Sequence, residues 1–399
     1  MTKALIASSA LAVPRSKIRE LADLAFSLEG VLKLHFGESS LSTPRYIKAA
    51  ATRALDEGYT FYTENAGLPS LRRAIAEKYQ KLHRVELDPS SEIVVTASGV
   101  QALNVCIRCV LDPGDEALVL TPAWPNASAI VRLFSAFPIE IPLGLSGKRY
   151  AIDFDRLKAA VTDRTRLLIY TSPSNPLGWV ASQHDQSALL DFCRQRGLWL
   201  LADEVYERIF YGAEAAPSIL RLCSREDAVM VVQSFSKTYC MTGWRVGWFV
   251  ARKDLATKAT ELNEFVISHA PAMAQRAGET ALREGEPEIE DMKTRLQENL
   301  LFSLDRLSSM KGVVVPKPEG AFYLFPKIES LTDSLEFCRS LLLQTRVALA
   351  PGMAFGLGGE GSVRICYAAD RSVLQLAMER LGDYLEHWFP RGTVSANAP

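Results

Sequence analysis

The sequence predicts an α/β protein built on a mostly parallel sheet of seven strands, with a smaller α+β unit beside it. Three observations carry that expectation. Between Glu92 and Ala251 short apolar runs alternate with helix-length amphipathic segments, the pattern of a parallel sheet with helices on both faces. Several runs end on or just before a residue with chemistry to offer: Asp203, Asn175 and Lys237. Open α/β sheets bind ligands outside the carboxyl ends of their strands, so these ends should meet in one crevice. A chain of 399 residues with 48% hydrophobic content is also long enough for a large core and more than one unit.

Residues 1–15 read as an N-terminal arm. MTKALIASSALAVP imitates a signal peptide only faintly, because Ser8 and Ser9 cut its apolar run short of the roughly 7–15 residues required. Ser16–Leu28 and Thr43–Glu57 carry apolar residues at helical spacing, the second opened by Pro44, with Val31–Gly37 extended between them. A polar, aromatic connection from Gly58 to Gly67 leads into a helix over Pro69–Leu82. The seven strands are expected at Glu92–Thr96, Ala117–Thr121, Ile139–Leu143, Arg166–Thr171, Trp199–Asp203, Ala228–Val232 and Val246–Ala251. Helices follow over Glu261–Arg283 and Glu288–Ser309, then a smaller sheet from Val313–Pro316, Gly320–Phe325, Val347–Ala350 and Val363–Tyr367. Helices over Ser334–Gln344 and Ser372–Trp388 flank it. This organisation makes 16–46 and 286–390 the small unit, 47–285 the large one and 391–399 a polar tail.

Bulk properties exclude several classes. A formal net charge of -1 gives no handle for nucleic acid or an anionic membrane surface. No apolar run approaches the roughly 20 residues of a spanning helix. Seven cysteines without framework spacing point to reduced thiols and a cytoplasmic setting. Cys106 and Cys109 form a C-x-x-C inside an apolar helical run, which reads as core packing, and no metal is expected. Gly356–Gly361 spells G-x-G-x-x-G but precedes a strand rather than a helix, so a dinucleotide reading fails.

The chemistry centres on Gln233–Gly247, QSFSKTYCMTGWRVG, which joins two strands through Ser234, Ser236, Lys237 and Arg245. Lysine is rarely buried unless something pairs or reacts with it. Two hydroxyls and a guanidinium around an amine suit a phosphate whose carrier forms an imine with that amine. Pyridoxal 5'-phosphate is the carrier that fits. Ser98-Gly99-Val100 opens a helix after the first strand, where glycine lets backbone N–H groups approach an anion. Asp203, ending an apolar strand, should be buried and so needs a cationic or donor partner; a protonated pyridine nitrogen is one. Its neighbour Glu204 should point away. Asn175, set among prolines in Ser172–Gly178, is placed to donate to the cofactor's phenolic oxygen, with the Tyr206 hydroxyl alongside. Arg364 stands in an apolar strand, where its fork suits a planar substrate carboxylate.

In this order the motifs resemble those of class I/II aminotransferases of fold type I, particularly the subgroup of bacterial aspartate, prephenate and aromatic aminotransferases. The resemblance runs from about Ser16 to Trp388. It implies that Lys237 holds the cofactor as an internal imine and moves the substrate proton. It further implies that Ser98, Gly99 and Val100 cradle the phosphate, Trp124 stacks on the ring, and Gly37 helps Arg364 with the α-carboxylate. Tyr62 matches a tyrosine that reaches the phosphate of the neighbouring subunit, which implies a homodimer with shared sites. The implied substrates are an L-amino acid and a 2-oxo acid. Members that take acidic substrates often carry a lysine where this chain has Val100. The usual glycine-acidic-proline-aspartate loop is here Gly37-Glu38-Ser39-Ser40. Both departures tilt the expected donor toward a neutral or aromatic amino acid, with Arg15 or a neighbouring subunit as other sources of a cation. A lyase or cyclase using the same cofactor would share these residues and stays open at this point.

Overall fold

The computed structural model describes residues 6–146 and 149–388. The tail expected at 391–399 and the first residues of the arm lie outside them. Seven strands form the main sheet: β1 (Ile93–Thr96), β2 (Glu116–Thr121), β3 (Phe137–Pro142), β4 (Thr165–Thr171), β5 (Trp199–Asp203), β6 (Val229–Ser234) and β7 (Gly247–Ala251). Their spatial order is β1-β7-β6-β5-β4-β2-β3. All neighbours run parallel except β7, which is antiparallel to both β1 and β6. Gly247 lies opposite Thr96 on one side and Ser234 on the other. The start of the reversed strand therefore sits at the same edge as the ends of its neighbours, and Arg245 enters where Lys237 leaves.

Most of the strands are largely apolar because both faces are covered; the edge strand β3 is only partly buried and carries Glu140. Val95, Leu118, Leu168, Leu200, Val231 and Trp248 pack on one side, while Val94, Val119, Ile169, Leu201, Val232 and Phe249 pack on the other. This period-two alternation puts adjacent residues of one strand on opposite faces. It separates Asp203, at the crevice, from Glu204, whose Oε1 accepts from Ile219 N at 2.9 Å. Glu204 thus points away, as its position predicts. A second core gathers Leu300, Phe337, Leu341, Ile365, Leu374 and Leu381 from the C-terminal region with Leu21 and Leu34 from the N-terminal one. Leu32–Lys33 pairs in parallel with Val347–Ala348, which ties those two distant segments together. Among the described residues no helix is long and apolar enough to cross a membrane.

Two local expectations need correction, and one hairpin was not foreseen. The helix expected over Glu261–Arg283 is two helices, Lys253–Glu264 and Ala272–Glu284. Pro271 cannot continue a helix interior, and the Asn263 carbonyl accepts the N–H groups of Val266, Ile267 and Ser268 to close the break. Gly144–Ser146 and Arg149–Ala151 pair as a hairpin that short, polar segments did not signal. The strand expected over Gly320–Phe325 shrinks to Tyr323–Leu324, because Ala321 takes a left-handed conformation with φ 57°.

Candidate active site

A cavity of about 530 Å³ opens at the carboxyl edge of the sheet. It is lined by Gly37, Gly99, Val100, Trp124, Asn175, Asp203, Tyr206, Ser234, Ser236, Lys237, Arg245 and Arg364, residues spread over more than 300 positions of sequence. Sheet topology explains most of the convergence: apart from Gly37 and Arg364, which the small unit brings, these residues end, follow or precede main-sheet strands whose ends lie at that edge.

Lys237 follows β6 in a turn and points its amine into the cavity, where Nζ donates to Gly37 O at 2.6 Å. Burial draws its pKa down to about 8. An amine so shifted has a far larger neutral fraction near physiological pH than an ordinary lysine, which is what a nucleophile or base requires. Asp203 is buried, and among the described residues its carboxyl has one hydrogen bond, accepted from Val205 N at 3.3 Å. Burial pushes its carboxyl up to about 7, partly offset by the Val205 amide and the Lys237 charge. It is a buried acid with room for a cationic donor.

The anion end is built from backbone. Ser98 caps the helix Gly99–Val110, accepting from Gln101 N at 3.3 Å, and holds a strained φ of 104°. Arg245, with φ 53°, uses one guanidinium nitrogen on Thr242 O at 2.7 Å and turns into the cavity. Ser234 Oγ donates to Ser236 Oγ at 2.9 Å, so both hydroxyls face the same space. Ser98 itself is buried beneath the lining rather than part of it.

The opposite wall comes from the small unit. Arg364 is buried with its guanidinium over the rings of Tyr323, at 4.6 Å, and Phe355, at 4.9 Å. It donates to Asn175 Oδ1 at 3.0 Å and to the His35 carbonyl, both neutral oxygens, while Nε is buried without a partner. A buried guanidinium satisfied only by neutral groups is an anion site. Asn175 Nδ2 reaches the Tyr206 hydroxyl at 3.5 Å, and that hydroxyl pairs with Tyr323 Oη at 2.7 Å. His35, wholly buried under Phe36, is pushed down to about 4 by desolvation and then by Arg364, so it stays neutral.

Tyr62 is not in this cavity. It is 91% exposed, with its ring edge-on to His269. Ile18, Arg19, Phe36 and Tyr323 line the cavity without any sequence signal that singled them out, and Glu38 of the altered loop lies beside them. A second hollow of about 580 Å³ adjoins it through Glu38 and Thr242, lined by Leu41, Trp244 and Met273 among others, and holds none of the chemistry above.

The lining fits pyridoxal 5'-phosphate. Asp203 is the buried acid that a pyridine N–H would satisfy, the helix start with Arg245 and the two serine hydroxyls suits a phosphate, and Lys237 is an amine of lowered pKa between them. Comparison with known proteins points the same way. The family model described as aminotransferase class I and II matches residues 29–381. The aspartate aminotransferase of Pyrococcus horikoshii is 36% identical over 387 residues, 96% of this chain and 98% of the relative. The probable aspartate/prephenate aminotransferase of Aquifex aeolicus is 35% identical over 357 residues, 88% of this chain and 90% of the relative. The crystal structure of an aromatic aminotransferase from Pyrococcus horikoshii superimposes with a TM-score of 0.86 at 36% identity, over 92% of this chain and 99% of the other. Sheet, crevice and relatives agree over nearly the whole length, and the chain belongs to the class I and II aminotransferases, pyridoxal 5'-phosphate-dependent enzymes of fold type I.

Proposed function

We propose that the enzyme moves the amino group of a neutral or aromatic L-amino acid to a 2-oxo acid, with Lys237 as the residue that holds the cofactor and handles the proton. The carrying observation is that Lys237, Asp203, Arg245 and Arg364 converge on one cavity from four separate segments of the chain. When bound, the cofactor supplies an aldehyde that takes up the amino group and a ring that accepts the electrons left on the substrate's Cα. Every other part of the reading concerns this chain's side chains.

Arg364 receives the substrate α-carboxylate, with Gly37 closing over it, and so fixes which Cα substituent faces Lys237. Lys237 Nζ, with its pKa near 8, would take the Cα proton and return it to the cofactor's former aldehyde carbon, C4', two bonds away across the nitrogen. Asp203 holds a proton on the pyridine nitrogen, which favours electron flow into the ring. Asn175 and Tyr206 donate to the phenolic oxygen, and Trp124 covers one ring face. Gly99, Val100, Ser234, Ser236 and Arg245 receive the phosphate, while Ser98, beneath the lining, caps the helix that carries the first two. The apolar groups Ile18, Phe36, Val100 and Leu103 in the lining favour an uncharged donor side chain.

Tyr62 completes the reading as a contribution from a second copy. It stands exposed beside Phe61, 80% exposed, and near Phe265, 87% exposed, in a segment tied to its own by Thr63 N and His269 Nε2 at 3.3 Å. Such an apolar rim supports a homodimer with shared sites. The test is a donor panel. Purified protein loaded with cofactor should convert aromatic or neutral L-amino acids to their 2-oxo acids only when an oxo-acid acceptor is present, and Lys237→Ala should abolish turnover. Release of pyruvate or ammonia without an acceptor, or near-normal activity in that variant, would sink the assignment.

A further inference from the structure

We infer that Arg19, resting on the Phe36 ring, reads the substrate's side chain and takes the distal carboxylate of a dicarboxylic 2-oxo acid. The inference rests on the amino-transfer reading above. Four cationic side chains line the cavity: Arg19, Lys237, Arg245 and Arg364. Three are engaged by the chain itself, Lys237 on Gly37 O, Arg245 on Thr242 O, and Arg364 on Asn175 and His35. Arg19 differs. It stands in the first turn of the helix Lys17–Phe26, where its backbone N–H is used on Ser16 Oγ. Its guanidinium lies 5.5 Å from the Phe36 ring centroid and, among the described residues, forms no hydrogen bond or ion pair. Arg15, the other nearby candidate, is exposed like Arg19, but it is already bonded to Asp23 Oδ2 at 3.1 Å and does not line the cavity.

Position makes the cation useful. Phe36 lies between His35, whose carbonyl holds Arg364, and Gly37, whose carbonyl holds Lys237. Arg19, Phe36, Lys237 and Arg364 all line the one cavity, so the Arg19 platform faces the same space as both anchor points of a bound substrate. Amino transfer in two halves asks one cavity to accept the donor and then the acceptor. An aromatic donor can lie against Phe36 and Ile18, but an acidic acceptor side chain would face Glu38, which lines the same space. Its charge needs a cation there. A guanidinium stacked on a ring serves both cases, because it is weakly hydrated, presents a flat apolar face, and offers a bidentate edge to a carboxylate. Val100 then needs no cationic counterpart in the phosphate loop.

Glutarate and 3-phenylpropanoate carry the carboxylate that Arg364 takes but no amino or oxo group, so both bind without reacting. Calorimetric titration of each into cofactor-loaded wild type and Arg19→Met separates the two roles. Arg19→Met keeps an apolar stem on Phe36 and should weaken glutarate by roughly 10-fold or more, as loss of a charge-assisted contact implies. Binding of 3-phenylpropanoate should stay within about twofold, because its ring uses area rather than charge. Glutarate held within about twofold in the variant, an equal loss for both acids, or no glutarate binding to wild type overturns the assignment. Because these titrations need no turnover, failure of wild type to transfer an amino group in the donor panel would overturn the reaction separately.

Discussion

At the residue scale, Asp203 shows how a site stores unfavourable energy. Its carboxyl is pushed by burial from the ordinary aspartate range, near 4, up to about 7. The sign follows from proton counting. Between about pH 4 and pH 7 the folded chain keeps a proton that the unfolded chain has lost, so stability falls as pH rises through that window. Asparagine cannot ionise and escapes this. Cofactor-free Asp203→Asn should therefore unfold at higher temperature or denaturant than wild type at pH 8, by on the order of 1–3 kcal/mol, and by little near pH 4. The same variant should lose most of its turnover, since amide cannot hold the ring proton. Melting curves of both cofactor-free proteins across pH 4–8 check the first part; a constant offset at every pH would mean the carboxylate is not strained by burial.

At the element scale, the site depends on how closely β1, β6 and β7 pack where they meet. A Cβ added at Gly247 would lie 2.6 Å from Gly99 N, 2.7 Å from Gln233 O and 2.8 Å from Ser98 C. All three are backbone atoms, so nothing can rotate aside, and the clash falls on the segment proposed to receive the phosphate. Gly247→Ala should cost about 1–3 kcal/mol of stability and weaken cofactor affinity. Gly144→Ala, with nothing within 4 Å of the added carbon, should stay within about 0.5 kcal/mol. Urea titration and cofactor binding on both variants decide it, and equal behaviour would sink the close-packing argument.

This junction also explains what the sequence could and could not show. Six of the main strands were legible because burial on both faces makes each a nearly continuous apolar run, while the edge strand β3, only partly buried, showed as the shorter run Ile139–Leu143. Lys237, Asp203 and Arg364 stood out because a charged residue ending or interrupting such a run needs a reason. Arg19, Phe36 and Tyr323 did not stand out. Arg19 sits on the polar side of an ordinary amphipathic helix, and its role comes only from meeting a ring 17 residues away in sequence. Tyr323 was one aromatic in an apolar strand, yet its hydroxyl ties Tyr206 and its face carries Arg364. The break before Pro271 was hidden for a related reason: helical periodicity continues across it, while the stop is made by a proline and a buried asparagine.

At the scale of the whole molecule, the open question is whether one chain makes one complete site. Tyr62 is far too exposed to serve its own cavity, and the apolar rim around it supports burial against a second copy. Shared sites make a prediction that no self-sufficient chain can meet. Take two damaged chains, Lys237→Ala and Tyr62→Phe, each much less active than wild type. In a mixed dimer the Lys237→Ala chain lends its intact Tyr62 to the site that retains Lys237, and that site is then wild type in every residue. The other site of the same dimer carries both lesions. Equal mixing with random exchange makes half the dimers mixed, so activity should rise to about one quarter of wild type per dimer. The measurement is turnover after unfolding the two variants together and refolding them, against each refolded alone, with light scattering to confirm a mass of twice 44.1 kDa. Activity equal to the mean of the two variants would show that Tyr62 acts within its own chain or not at all, and a scattering mass of one chain would remove the shared site entirely.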